Sequence, residues 1–180
     1  MTDVISVDAR MARPNGEANP DEEAAAPAFD VIELLFFAYR DFVRDPDEAL
    51  IGYGFGRAHH RVLHFVDRNP GLRVTELLDI LKITKQSLGR VLRELVEKDF
   101  IVQREGAADR RQRLLYVTER GDRLARQLAQ LQTRRVSRAL AHCDKQEADA
   151  IRRFLFEIID PEERPKVARL TGARPPTGRS

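Results

Sequence analysis

The stretch LRVTELLDILKITKQSLGRVLRELVEKDFIVQREGAADRRQRLLYVTERG, residues 72–121, contains two short helical patterns joined by a three-residue turn. In the second pattern Leu88, Val91, Leu92, Leu95 and Val96 recur at i, i+3, i+4, i+7 and i+8, so one face of that helix is apolar. Leu77, Leu78 and Leu81 give the first helix its core face, with Thr75 expected as its N-cap and Glu76 complementing its dipole. Lys82-Ile83-Thr84 reads as the turn, and Thr84 as the cap of the second helix. Two apolar runs follow, Phe100–Arg104 and Arg113–Val117, with Glu105–Gln112 as the loop between them. The layout is a helix-turn-helix with a β-wing, an arrangement that can grip one DNA duplex on two elements.

Working outward, Gly54–Arg68 is expected as a helix with Phe55, Ala58, Val62, Phe65 and Val66 along one stripe, stopped by Asn69-Pro70-Gly71. Leu72–Val74 reads as a short strand. Before it, Val31, Ile32, Leu34, Leu35, Phe36, Phe37, Phe42 and Val43 give a helix more apolar surface than one side of a small domain needs, as in a helix that packs on a second subunit. Asp45-Pro46-Asp47 should end that helix, because the residue before proline disfavours the α region. Thr118 caps a long helix to about Ala141, with Leu124, Leu128, Leu131 and Val136 as its seam. Asp144-Lys145-Gln146-Glu147 has the form of a capping box. It opens a helix with Ile151, Phe154, Leu155, Ile158 and Ile159 on one face. The expected division is a disordered tail over 1–28, one winged-helix domain over 29–160 with its DNA-binding core at 54–118, and a flexible tail over 161–180.

A chain of 180 residues suits one domain with a real core. Its net charge of +2 would not by itself point to nucleic acid. The distribution does: residues 1–30 carry seven Asp/Glu and two Lys/Arg, whereas residues 82–113 carry nine Lys/Arg and five Asp/Glu. The one cysteine, Cys143, excludes an intrachain disulfide and fits a reducing compartment. With no run near the ~20 apolar residues of a membrane span and no signal peptide, a cytoplasmic location without membrane contact is expected. No Gly-rich phosphate loop, no G-x-S-x-G and no paired catalytic carboxylates occur in a plausible frame, so no enzymatic activity and no cofactor are expected.

The DNA contacts are expected on the second helix and the wing. Gln86 offers paired donor and acceptor contacts to adenine, and Arg90 does so to guanine, with Arg93 a turn further on. Thr84, Lys85 and Ser87 suit phosphates at the helix N-terminus. Gly89 is odd in a helix interior, and a close approach by DNA or by a neighbouring helix would account for it. On the wing, Arg104, Arg110, Arg111 and Arg113 are cationic, and an arginine at the tip can enter the minor groove. Asp109 should pair with a nearby arginine. The bland alternative is a solvated helix face and a solvated hairpin whose ion pairs contribute little.

The run Leu95-Val96-Glu97-Lys98-Asp99-Phe100-Ile101-Val102, then Arg104, Asp109-Arg110-Arg111, and Val117-Thr118-Glu119-Arg120-Gly121 resembles the MarR family of bacterial transcription regulators. The likeness covers about residues 29–160 and is densest over 72–125. RNPGLRVTELLDILKITKQSL (68–88) further resembles PetP-type members of that family. The resemblance implies a mainly α fold with a small β-wing: a winged helix-turn-helix flanked by N- and C-terminal dimerisation helices. It implies a homodimer on double-stranded DNA, a palindromic operator and a possible small-molecule effector, and it gives Asp109 and Arg111 the wing roles. Asp99 stands where the family often has glycine in a left-handed conformation, so a slightly altered helix end is expected. Gly89 stands where the family usually has a polar residue, so base preference cannot be carried over. Alternative readings are a metal- or haem-responsive regulator using His59, His60 and His64, of which His60 and His64 share a helix face at i, i+4, and a protein-interaction winged helix without DNA recognition. Redox sensing at Cys143 lacks an adjacent partner thiol.

Overall fold

The computed structural model describes residues 28–106, 109 and 111–172. In chain order these form α1 (Phe29–Ile51), α2 (Arg57–Arg68), β1 (Leu72–Arg73), α3 (Val74–Leu81), α4 (Lys85–Glu97), β2 (Ile101–Glu105), β3 (Arg113–Val117), α5 (Glu119–Leu140), α6 (Lys145–Glu157) and α7 (Arg164–Thr171). The sheet is antiparallel in the order β1-β3-β2, with Leu72 opposite Leu115, Ile101 opposite Val117 and Glu105 opposite Arg113.

The core gathers the apolar stripes of the winged helix. Val62, Leu63 and Val66 of α2 meet Leu77 and Leu81 of α3, and Leu88, Val91, Leu92 and Leu95 of α4. Leu115 from the sheet, Phe100 and Ile101 beside it, and Leu124 and Leu128 of α5 close the cluster. Each fully buried leucine contributes roughly 1.5–3 kcal/mol relative to exposure. The mainly α winged-helix architecture implied by the sequence is therefore present, with α1 before it and α5 to α7 after it.

Four local expectations are corrected. The first helix does not stop at Asp45-Pro46-Asp47 but runs through a buried Pro46 to Ile51. Proline removes one helical hydrogen bond, yet flanking ion pairs hold the turn: Asp45 with Arg135 of α5 at 2.9 Å and Asp47 with Arg57 of α2 at 2.6 Å. The second helix starts at Arg57, not Gly54, leaving Phe55 buried ahead of it. Helix α3 is capped at Arg73, whose backbone N–H donates to Glu76 Oε2 at 2.9 Å, so Thr75 lies inside the helix and does not cap it. Within the expected tail over 161–180, Arg164–Thr171 form α7. Arg164 donates to the backbone oxygens of Ile159 and Glu157, and Lys166 forms an ion pair with Asp79 of α3. A proline- and arginine-rich segment offers little apolar periodicity, and ionic contacts distant in sequence hold it in place. The expected tail over 1–28 lies, apart from Ala28, outside the described residues.

Candidate nucleic-acid interface

Helix α4 is held by its buried side and presents the other. Thr84 caps it, its Oγ1 accepting the Ser87 backbone N–H at 3.2 Å and donating to Ser87 Oγ at 2.9 Å. Those two hydroxyls therefore bond first to one another, and the unpaired N–H groups of the opening turn face outward with the positive end of the helix dipole. Lys85, Gln86, Gly89, Arg90 and Arg93 are all exposed on one side. Gln86, Ser87, Gly89, Arg90 and Arg93 line a hollow of about 500 Å³. A larger groove of about 800 Å³ runs from Lys85 and Arg93 across to Val102 and Gln103 of β2. The expected helical contacts thus share one open surface beside the wing strand.

The wing is braced through its backbone. Asp109 accepts the Arg111 N–H on its carboxylate at 2.9 Å, an Asx-type turn; an ion pair of Asp109 with Arg110 lies outside the described residues. Gly106 and Gln112 close the hairpin through the Gly106 N–H to Gln112 oxygen bond at 3.1 Å. At its base Arg113 pairs with Glu105 at 3.1 Å, which partly neutralises one of the expected cations. The Arg104 guanidinium lies over the Tyr116 ring at 4.9 Å. Arg111 is exposed. Arg110 lies outside the described residues.

Other cations tie the elements together. Arg61 donates to the Leu81 carbonyl at the end of α3 at 2.9 Å. Lys98 reaches the Tyr53 carbonyl at 2.8 Å, and Arg120 the Lys98 carbonyl at 3.0 Å. Asp99 takes φ 60°, so an aspartate makes the left-handed step where glycine is the easier residue. Its carbonyl accepts the Thr118 hydroxyl at 2.8 Å. Immediately beyond, a Cβ at Gly121 would overlap the Phe100 carbonyl oxygen, which explains glycine at that point of the Val-Thr-x-x-Gly run.

The histidines of α2 are divided among different tasks. His59 Nδ1 accepts the Gly56 N–H at 3.1 Å, and its Nε2 lies 3.0 Å from Glu94 of α4. His60 is buried, and loss of solvent lowers its pKa. His64 packs edge-on against Phe65. Among the described residues no group of three His, Cys, Asp or Glu is placed to hold a metal ion. Glu94 is the residue the sequence reading missed, because its partner lies 35 positions away; the Arg90/Glu94 spacing of four, which brings them to 4.0 Å, was the available signal. Among the described residues no helix is long and apolar enough to cross a membrane.

A short capped helix with an open polar face, packed on a second helix and followed by a two-stranded wing, defines a winged helix-turn-helix protein. A family profile described as the MarR family matches residues 53–112. The HTH-type transcriptional regulator PetP of Rhodobacter capsulatus is 44% identical over 133 residues, spanning 74% of this chain and 80% of that protein. The chain belongs to the MarR family, in agreement with the resemblance carried by residues 72–125. Among solved structures, that of MarR superposes with a TM-score of 0.58 at 21% identity, covering 83% of this chain and 97% of the other. FabT of Streptococcus pneumoniae, solved in complex with DNA, gives a TM-score of 0.65 at 16% identity over 73% of this chain and 94% of the other. These two likenesses concern the fold.

Proposed function

We propose that the protein is a cytoplasmic, homodimeric transcription regulator that reads an imperfectly palindromic operator in double-stranded DNA. The observation that carries this reading is the outward face of α4, where Lys85, Gln86, Arg90 and Arg93 stand exposed beside a wing bearing Arg111. Such a face serves no need of the core, and its size and charge suit a major groove. The name of the PetP relative and the DNA complex of FabT support it. Dimerisation is supported by apolar side chains left uncovered on α1 and α6, among them Phe36, Phe37, Phe154 and Leu155. Two heads related by a two-fold axis then meet half-sites one helical turn apart.

The test is Arg90→Ala in a competition titration at fixed salt, with an operator duplex and a random duplex. Loss of a bidentate guanine contact removes roughly 1–3 kcal/mol of discrimination, so the affinity ratio between the duplexes narrows. Equal weakening on both makes Arg90 a phosphate contact and moves base reading to Gln86, Ser87 or DNA shape. Absence of any preference in the wild-type protein overturns sequence-specific regulation.

A further inference from the structure

Gly89 sits in the interior of α4, three residues after Gln86, one before Arg90 and four before Arg93. Glycine is among the weakest helix formers, so a glycine kept inside a helix needs a reason. The usual reasons are missing here. Its backbone is helical, and among the described residues a Cβ built on it would meet nothing within 4 Å. By contrast, a Cβ at Gly121 would run into the Phe100 carbonyl. Among the described residues no neighbouring helix crowds Gly89, so the fold they form does not ask for the missing side chain. Its surroundings point outward: it borders both the hollow lined by Gln86, Arg90 and Arg93 and the groove that leads from Lys85 to β2. The helix backbone is bare at the point where the two concavities meet.

We propose that Gly89 is a specificity-determining residue, the point at which the α4 backbone comes closest to the floor of the DNA major groove. The proposal rests on the DNA-reading function proposed above. Gln86 and Arg90 flank Gly89, so the depth of the helix at Gly89 sets how far both reach toward base edges. A methyl group there projects about 1.5 Å from Cα. Base-edge hydrogen bonds hold only over a range of roughly 2.7–3.2 Å, so a stand-off of that size breaks them. Phosphate contacts from the wing arginines, made by long side chains at the periphery, adjust to it. Gly89 therefore separates two quantities: the fold is better without it, and base reading is worse.

The experiment compares wild type, Gly89→Ala and Gly89→Ser as full-length protein. The probes are the duplex that wild type enriches from a randomised pool and an unrelated duplex of equal length, at fixed salt. Gly89→Ala is expected to raise the melting temperature by roughly 2–4 °C, because alanine is the better helix former. It is expected to weaken binding to the enriched duplex about tenfold or more, the scale of a lost base-pair contact. Binding to the unrelated duplex, which is electrostatic, stays within about twofold. Gly89→Ser, larger still, falls at least as far on the enriched duplex. If Gly89→Ala binds the enriched duplex as wild type does, or weakens both duplexes alike, the proposal is overturned while DNA reading stands. A fall in melting temperature also overturns it, since the fold would then require the glycine. If wild type enriches no sequence, DNA reading fails and the proposal with it.

Discussion

His59 ties α2 to α4: its Nε2 lies 3.0 Å from Glu94 Oε2 while its Nδ1 accepts the Gly56 N–H at 3.1 Å. With Nδ1 accepting, the ring hydrogen is on Nε2, where it is donated to the carboxylate. One imidazole thus closes the start of α2 and links it to α4. His59→Ala should lower unfolding stability by about 1–3 kcal/mol, the range for a hydrogen bond to a charged group with one partner left behind. Glu94→Gln keeps an acceptor and should lose less. Urea titrations of the two variants check this, and equal losses would show that a neutral acceptor does not replace the carboxylate and that packing of the ring on Phe55, against which it is stacked with ring centroids 4.6 Å apart, adds nothing beyond the bond.

Arg111 is positioned by the Asp109 turn through its backbone, which leaves its guanidinium to the solvent side of the wing. Arg111→Ala should weaken operator and unrelated duplex together and reduce the slope of log affinity against log salt by about one unit. Fluorescence anisotropy at a series of salt concentrations reads both quantities. An unchanged slope in a folded protein would remove Arg111 from the interface.

His60 makes stability depend on pH. Burial lowers its pKa from 6.5, His64 adds to the effect, and Asp47 opposes it. The unfolded chain therefore binds more protons than the folded one once pH falls below about 6.5, and stability is lost on acidification through that window. Above it both states are neutral at this position and the penalty vanishes. Asp79, held at about 2 by Lys166 and Lys82, stays ionised throughout. His60→Leu should flatten the fall in urea midpoint between about pH 7.5 and 5.5. The same fall in the variant would assign the pH dependence to other groups.

Phe36 of α1 is 69% exposed and Leu155 of α6 is 52% exposed. Substitutions at such open positions normally change the stability of a single chain by less than about 0.5 kcal/mol. Phe36→Glu combined with Leu155→Glu should therefore leave a folded chain that sediments as a monomer. Sedimentation as a stable dimer would move the interface to another surface.

What could be read from the sequence was local. The apolar spacing of Leu88, Val91, Leu92 and Leu95 and the Thr84 hydroxyl are properties of a few consecutive residues, and α4 and its cap follow from them. The strand pairing of Ile101–Glu105 with Arg113–Val117 follows from two apolar runs on either side of a short loop. Pro46 misled because the contacts that hold its turn, Asp45–Arg135 and Asp47–Arg57, join residues 90 and 10 positions apart. Helix α7 has little apolar periodicity, and its partner Asp79 lies 87 positions away. Arg73 does not announce itself as a cap because its guanidinium has no acceptor; the bond comes from its backbone to Glu76. Among the interface residues, their shared surface was legible from helical spacing, whereas the backbone role of Asp109 depends on a turn geometry that the letters alone leave open.

At the start of α5, Gly121 lies so close to the Phe100 carbonyl that no side chain fits between them. The whole helix spans 22 residues, an arm of about 33 Å at 1.5 Å per residue. A lever of that length multiplies angle into distance: a tilt of about 5° at one end becomes roughly 3 Å at the other. In the proposed dimer, whether two heads fit one duplex is then a matter of goniometry, since a misfit as long as one hydrogen bond arises from a rotation too small to disturb the packing around Leu124 and Leu128. In that proposed dimer the spacing of the two α4 helices would answer to the angle of α5 and not to any contact at α4 itself.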